Sequence, residues 1–229
     1  MKRTLQIVLV FSFAAMFLIS PVAAATSQGL EWGVALNDEV TYQFKVIEEG
    51  DTLLDEGVNV TVESTPGTIP DPVLDWLLLP YVDVDIVYTN GSALGLEGFY
   101  LIGIILAGGH FIIPLGNFTL LTELFMDSLI YNENSTIVND GTKWGITYST
   151  TDSGMAMQSH VYYLKEDGFL SRYTLEVRNM TSNVRSSVSL VRDGVGFDII
   201  GFIQDNMLMV GIGVGVVVIL GAVVCLRRR

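Results

Sequence analysis

Uncharged apolar segments lie at both ends of the 229-residue chain, and they constrain its topology more than any other feature. At the N-terminus, Lys2 and Arg3 precede an apolar run from Leu5 to Ile19, and small residues end the segment at Ala25. This order of basic, apolar and small residues is typical of a secretory signal peptide. We predict cleavage after residue 25. The alternative, an uncleaved membrane anchor, is disfavoured because the apolar run is short.

The C-terminal apolar segment, residues 207–226, contains 20 residues and no charged side chain. An α-helix of that length rises about 30 Å, the thickness of the hydrocarbon core of a bilayer. The segment therefore predicts a transmembrane helix. Arg227, Arg228 and Arg229 follow it, and basic residues favour the cytoplasmic side. The sequence thus predicts a single-pass cell-membrane protein with its N-terminal domain outside and residues 227–229 in the cytoplasm.

A third apolar stretch runs from Phe99 to Leu115 and raises the question of another membrane span. A crossing there would reverse the last helix and place the terminal arginines outside, against the positive-inside tendency. Gly108, Gly109 and Pro114 also interrupt the stretch. We interpret it as buried core of the outer domain.

The region between the ends is predicted to be an extracytoplasmic domain (26–196) followed by a juxtamembrane stalk (197–206). Over residues 26–206, seven Lys and Arg against 25 Asp and Glu leave a net charge of −18. Nucleic-acid binding is excluded because it needs clustered positive charge. The only cysteine, Cys225, lies in the predicted span. A domain without disulfides depends on its apolar core, which favours an archaeal or bacterial surface protein.

Alternating apolar and polar residues predict that the outer domain is mainly β. Seven segments show this pattern, and Gly168 closes a tight turn that makes residues 161–177 a hairpin. The segments are centred on residues 42–46, 58–62, 82–86, 144–148, 155–164, 169–177 and 184–191. We therefore predict an antiparallel β-sheet or meander.

Two segments are predicted to be helices that cover the sheet. Asp71 and Pro72 resemble a helix start, and that short helix would end near Leu79. Residues 117–130 fit an amphipathic helix capped by Asn117 or Thr119, with its apolar side on the sheet. The predicted fold class is thus α+β, mainly β with minor α, plus one C-terminal transmembrane helix.

Five Asn-x-Ser/Thr sequons lie in the outer domain, whereas composition alone would give about 1.4. Together with the export signal, this excess predicts N-glycosylation. The predicted acceptors are Asn59, Asn90, Asn117, Asn134 and Asn179.

The order of export signal, β-rich glycosylated domain, span and Arg cluster resembles archaeal cell-surface proteins of the choice-of-anchor type. Short segments carry the resemblance: Glu31 to Gly33, Asp38 to Tyr42, Ile113 and Pro114 leading into Phe118 to Glu123, and Glu166 to Ser171. Some of these proteins have a Pro-Gly-aromatic sorting motif before the span, whereas residues 196–197, Gly-Phe, lack the proline. The resemblance implies a location at the cell surface and no particular chemistry.

No catalytic motif is found in the sequence, and no metal or cofactor is predicted. His110 and His160 are the only histidines, and His110 fits a core position better than a zinc site. Asp83 and Asp85 could bind Ca²⁺, although alternation on a solvated strand face explains them as well. In the predicted span, Gly211 and Gly215 form a Gly-xxx-Gly pair that would permit a homodimer through the membrane helix.

The leading function is therefore an extracellular interaction or structural role at the cell surface, with a protein or glycan partner. The alternative is a carrier or binder of a lipid or another apolar ligand, in a cavity lined by residues 99–115, Met155 and Met157. A cavity above about 300 Å³ would favour the alternative, and a solid interior the first function. A metal enzyme or hydrolase would need His110 or His160 beside carboxylates in a cleft.

Overall fold

The computed structural model describes residues 26–101 and 109–194, which form an antiparallel β structure with one α-helix. The strands are β1 (Leu30–Glu31), β2 (Glu39–Glu48), β3 (Asp51–Val62), β4 (Val84–Tyr88), β5 (Leu115–Gly116), β6 (Ser135–Asn139), β7 (Lys143–Asp152), β8 (Met155–Leu164), β9 (Leu170–Asn179) and β10 (Arg185–Arg192). Helix α1 spans Phe118–Met126, and short 3-10 helices cover Trp76–Leu78 and Leu96–Leu101. The predicted mainly-β fold is confirmed.

Within these ranges no helix is long and apolar enough to cross a membrane. The predicted signal peptide (1–25), stalk (197–206), transmembrane segment (207–226) and Arg tail (227–229) lie outside the described residues. The Gly211 and Gly215 pair lies outside them as well.

Eight strands form one sheet in the spatial order β4, β3, β2, β10, β9, β8, β7, β6, and every neighbouring pair is antiparallel. The sheet consists of two meanders, β2 to β4 and β6 to β10. The two meanders join where β2, the first strand of one, pairs with β10, the last strand of the other, and Phe44 lies opposite Leu190. Strands β1 and β5 form a separate two-stranded ladder.

Tight turns explain the hairpins. Glu49 and Gly50 connect β2 to β3 with φ of 52° and 96°, and Ser153 and Gly154 connect β7 to β8 with φ of 50° and 80°. Two consecutive residues with positive φ make the type I′ turn, whose twist matches that of the strands. Gly168, with φ of 78° between β8 and β9, confirms the predicted turn.

One face of the sheet carries the core. Tyr42, Phe44 and Val46 of β2 are buried, as their alternation predicts. Trp76 comes from the loop between β3 and β4 and stacks on Trp144 of β7, with 5.4 Å between ring centroids. Aromatic packing therefore fills the part of this face that lies around the start of β7.

The chain between β4 and β6 must pass from one edge of the sheet to the other, about 34 Å at ~4.8 Å for each of seven strand spacings. Helix α1 lies in this connection and covers the core face, as predicted. Leu121, Leu124 and Phe125 are buried, and the Trp144 indole N–H donates a 3.0 Å hydrogen bond to the Thr122 hydroxyl.

Helix α1 starts where the sequence predicts and ends earlier. Asn117 caps it, accepting a hydrogen bond from the Leu120 N–H at 3.0 Å. The prediction extended the helix to Ile130, but it ends at Met126. The Ser128 hydroxyl donates to the Phe125 carbonyl at 2.7 Å, which satisfies a terminal helix acceptor while the chain turns toward β6.

The helix predicted from Asp71 to Leu79 was wrong. The Asp71 carboxylate accepts hydrogen bonds from the backbone N–H and hydroxyl of Ser27 and therefore does not cap a helix. Asp75 accepts instead from the Leu77 N–H at 2.9 Å and caps only the short 3-10 helix.

Of the apolar stretch from Phe99 to Leu115, residues 102–108 lie outside the described residues, and the described residues on either side, which include the buried Leu101, are only partly core. His110, Ile112 and Ile113 are buried, whereas Phe99 is 67% and Tyr100 is 41% exposed. The interpretation of the whole stretch as buried core is therefore corrected at its N-terminal end. The 3-10 helix leaves these two aromatic rings on the surface.

Candidate ligand-binding cavity

Strand register brings together residues that are far apart in sequence. One line of paired positions crosses seven strands of the core face, near the end that holds the β2–β3 and β7–β8 turns. Its members are Leu54, Val46, Val188, Leu175, Ser159, Tyr148 and Ser135, here called the hairpin-end row. The aromatic core fills the opposite end of the face, around Trp76 and Trp144.

A cavity of about 440 Å³ lies beneath the C-terminal end of α1, over strands β6 to β9. This apolar cavity is lined by Phe125, Ile130, Asn132, Ser135, Ile146, Tyr148, Met157, Ser159, Val161, Tyr173 and Leu175. Its volume falls within the range of about 300–1,000 Å³ that is typical of small-molecule sites. It exceeds the threshold that separates the two predicted functions.

The cavity forms because the inward-facing side chains of β8 differ in size and polarity along the strand. Tyr163 and Val161 are followed on the same face by Ser159, whose side chain reaches only a short distance above the sheet. Helix α1 ends at Met126, and Phe125 is the one side chain of the helix that lines the cavity, so the helix covers this part of β7 and β8 only partly. The sheet is therefore left open where Ser159 and Tyr148 face each other.

A second hollow of about 460 Å³ adjoins the other end of the hairpin-end row. Val46 and Leu54 of that row line it together with Leu53, Leu96, Glu97, Phe99 and Tyr100. Leu96 is 79% exposed. The two openings therefore lie on the same face of the sheet, and Val188 and Leu175 connect them.

The predicted ligand-lining residues are only partly assembled. Met157 lines the apolar cavity, whereas Met155 is 41% exposed at the start of β8 and does not. Phe99 lines the second hollow, and Ile112 and Ile113 fill the core. Sequence analysis missed Tyr148, Ser159, Tyr173 and Leu175. The signal that could have found them is Ser159 at an inward position among Met157, Val161 and Tyr163.

The two histidines belong to different parts of the fold: His110 lies in the segment before β5, outside any strand, and His160 lies in β8. The His110 ring stacks on Tyr81 at 4.3 Å and meets the edge of Trp76, and burial lowers its pKa to about 4. His110 bonds to the Tyr163 hydroxyl through its backbone N–H and carbonyl. His160 contacts the hydroxyls of Thr147 and Tyr162 at 3.3 and 3.0 Å.

Acidic residues gather away from the apolar cavity. Asp83 and Asp85 line a shallow hollow near Glu63, and Asp83 accepts a 2.9 Å hydrogen bond from Ser64. Among the described residues, no group of three or more His, Cys, Asp or Glu is arranged to hold a metal ion. The alternative of Ca²⁺ binding at Asp83 and Asp85 thus gains no support from the geometry of the described residues.

The predicted glycosylation sites occupy different environments. Asn90 is exposed in the turn after β4, and Asn179 ends β9 with its side-chain oxygen accepting from the Thr181 N–H at 2.9 Å. Asn59 lies within β3, and Asn134 precedes β6. Asn117 is half-buried, and its Nδ2 donates a 2.9 Å hydrogen bond to the Gln28 carbonyl. The side-chain nitrogen of Asn117, the atom to which a glycan would be attached, therefore already makes a hydrogen bond within the fold.

No protein-family model and no curated protein matches this chain. The functional proposal therefore depends on the apolar cavity and on the topology that the sequence predicts.

Proposed function

We propose that the protein is a membrane-anchored cell-surface protein whose outer domain binds a lipid or another apolar ligand. The single observation that carries this proposal is the apolar cavity, about 440 Å³ in volume and lined by eleven uncharged residues. Concave, mostly apolar sites with a few polar groups are the usual form of small-molecule sites. This favours ligand binding, the alternative of the sequence analysis, over a purely structural role.

The energetics support an apolar occupant. Each methylene group removed from water contributes about 0.8 kcal/mol. Phe125, Ile146, Val161 and Leu175 provide the apolar wall, and Met157 adds an unbranched side chain that adapts to a ligand's shape. A bound alkyl chain would cover this wall and recover the packing contacts that an empty cavity lacks.

Several sequence features support the location. The signal peptide at residues 1–25, the span at 207–226 and the tail at 227–229 predict an outer domain tethered to the cell surface. The sequons and the resemblance to choice-of-anchor proteins point the same way. Contact between spans through Gly211 and Gly215 would give a homodimer.

An exposed patch favours a second candidate, interaction with another surface molecule. Leu74, Leu77 and Leu78 are 76%, 51% and 58% exposed, and Tyr81 nearby is 56% exposed. Exposed apolar patches of this kind mark protein or membrane contacts. This candidate is compatible with ligand binding because the patch and the apolar cavity share no residue.

Lipid extraction tests the proposed function. The full-length protein is purified from its native membrane, extracted with organic solvent and analysed by mass spectrometry beside an unrelated single-span protein handled identically. We expect a stoichiometric apolar molecule in the first extract only. Met157→Trp, which fills the apolar cavity, should remove it, whereas Gln158→Trp, on the opposite face of β8, should not. Identical extracts from wild type and Met157→Trp would contradict the proposal.

A further inference from the structure

The apolar cavity contains no charged side chain. Its eleven lining residues include no Asp, Glu, Lys, Arg or His. The ionisable groups are the hydroxyls of Tyr148 and Tyr173, and burial raises the pKa of Tyr173 to about 12. A buried charge without a partner is strongly destabilising. A ligand whose charged group entered the cavity would therefore meet no counter-charge.

The basic residues of the domain are placed away from the apolar cavity. Because Tyr173 and Leu175 face the cavity, alternation turns Arg172 and Arg178 of β9 to the opposite face. Lys143 lies on that opposite face, 4.8 Å from the Tyr162 ring centroid.

The remaining basic residues have partners elsewhere. Lys45 pairs with Asp55, Arg185 with Glu176, and Arg192 with Asp167, and Lys165 bonds to Asn139. With a net charge of −18 over residues 26–206, the domain offers no attraction to an anionic headgroup.

Polar and apolar atoms are segregated within the apolar cavity. Ser135, Tyr148 and Ser159 are consecutive members of the hairpin-end row. Asn132 is exposed beside them, and its backbone N–H donates to the Ser135 hydroxyl at 3.4 Å. Leu175 continues the row on the other side of Ser159. One side of the site thus offers several neutral hydrogen-bonding groups, and the other is mainly apolar, with the Tyr173 hydroxyl among its otherwise apolar side chains.

The volume limits the number of alkyl chains. At about 30 Å³ for each water-sized group, 440 Å³ holds on the order of 15 carbon atoms. One alkyl chain fits, whereas a lipid with two chains of that length needs twice the space.

We infer that the apolar cavity binds an uncharged, single-chain amphiphile, such as a long-chain alcohol. Its hydroxyl lies beside Ser135, Tyr148 and Asn132, and its chain covers Val161 and Leu175. This inference rests on the proposed function and adds the chemical class of the ligand.

Photolabelling of the full-length protein in its native membrane tests the inference. Two probes carry a diazirine at the same chain position, one derived from hexadecanol and one from hexadecanoic acid. Trypsin releases residues 144–165 as one peptide, which contains Tyr148, Met157 and Ser159. Labelling of this peptide, normalised to bulk membrane protein, should be about tenfold higher with the alcohol than with the acid at neutral pH, a difference of ~1.4 kcal/mol.

A charge-insertion variant sharpens the test. Ser159→Lys adds a cation to the apolar cavity and should reverse the preference toward the acid. Because trypsin also cleaves after an introduced lysine, labelling in the lysine variants is summed over all peptides within residues 144–165. Gln158→Lys adds the same charge to the opposite face and should leave it unchanged. If Ser159→Lys fails to fold, the ratio of alcohol to acid labelling in the wild-type protein tests the inference by itself.

The outcomes separate the two proposals. Absence of labelling by either probe would overturn the proposed function. Equal or stronger labelling by the acid in the wild type would overturn the uncharged headgroup and leave the proposed function standing. Displacement of the alcohol probe by a two-chain neutral lipid as effectively as by hexadecanol would overturn the single-chain inference.

Discussion

Single buried residues set the pH range in which this fold is stable, and His110 is the clearest case. Its ring lies between Trp76 and Tyr81, and burial lowers its pKa from 6.5 to about 4. The unfolded chain therefore binds more protons than the folded one between these values. The stabilisation is complete above pH 6.5 and is lost as pH falls toward 4, by a total of about 3 kcal/mol.

Substitution of His110 tests this pH dependence. In His110→Phe, which keeps an aromatic ring against Trp76 and Tyr81, the loss of stability between pH 7 and pH 4.5 should be about 2 to 3 kcal/mol smaller than in the wild type. Urea unfolding of residues 26–206 at both pH values measures it. Parallel pH profiles for wild type and His110→Phe would contradict the assignment.

Gly168 is a second residue on which the fold depends. It has a φ of 78°, its carbonyl accepts from the Ile113 N–H at 2.9 Å, and an added Cβ would collide with the Ile113 carbonyl oxygen. Gly50 also has positive φ, yet a Cβ there meets nothing within 4 Å.

The two glycines form a matched pair for mutagenesis. Gly50→Ala should cost about 1–2 kcal/mol, the strain of a left-handed residue with a Cβ. Gly168→Ala should cost about 2 kcal/mol more, because the close approach of two backbone segments adds overpacking. Denaturation midpoints of the two variants give the comparison. Equal losses would show that the Ile113 segment moves aside without cost.

At the level of secondary structure, Asn117 connects helix α1 to the N-terminal segment. Its side-chain oxygen accepts from the Leu120 N–H, and its Nδ2 donates to the Gln28 carbonyl. Asn117→Ala removes both bonds and should cost about 1–2 kcal/mol. Asn117→Asp keeps the capping acceptor and places a negative charge at the helix N-terminus, so it should cost less.

Thermal unfolding of residues 26–206, produced without glycosylation, measures both variants. Thr119→Ala, also at a position predicted as a cap, is the control and should be close to neutral. Equal losses in Asn117→Asp and Asn117→Ala would show that the bond to Gln28, which both variants lack, dominates over the cap.

The strands were predictable because each is a local pattern. Residues 155–164 and the turn at Gly168 could be assigned from alternation and one glycine, and both agree with the structure. The helix predicted from Asp71 failed because its cap residue bonds instead to Ser27, 44 positions away. Local signals cannot reveal such a competing long-range partner.

The apolar character of the cavity could be predicted from the sequence, but most of its lining residues could not. Composition indicated an apolar, adaptable site and named Met157, which lines it. The wall formed by Tyr148, Ser159 and Leu175 depends on the register of three strands. Alternation tells which face a residue occupies, but not which residue lies opposite it, so this wall needed the structure.

On the scale of the whole molecule, the pairing of β2 with β10 makes the sheet continuous. Residues 46–142 contain 15 acids and no Lys or Arg, whereas residues 143–192 contain six Lys and Arg and four acids. The junction between the two meanders brings these regions into one sheet. It also places Val46 and Val188 side by side, which connects the two hollows.

Because β10 lies at the centre of the sheet, truncation before it should abolish folding. Residues 26–194 contain all eight strands, whereas residues 26–184 lack β10 and leave β2 and β9 as unpaired edges. The shorter chain also loses Val188 and Leu190 from the core. An exposed apolar face and two new strand edges favour aggregation over folding.

Urea unfolding followed by near-ultraviolet circular dichroism compares the two truncated chains. Residues 26–194 should unfold in one cooperative transition with the midpoint of residues 26–206, because each strand of the sheet is present. Residues 26–184 should show no such transition. A cooperative transition in the shorter chain would mean that a meander buries enough apolar surface to fold without β10. The pairing of β2 with β10 would then only align two units that fold independently.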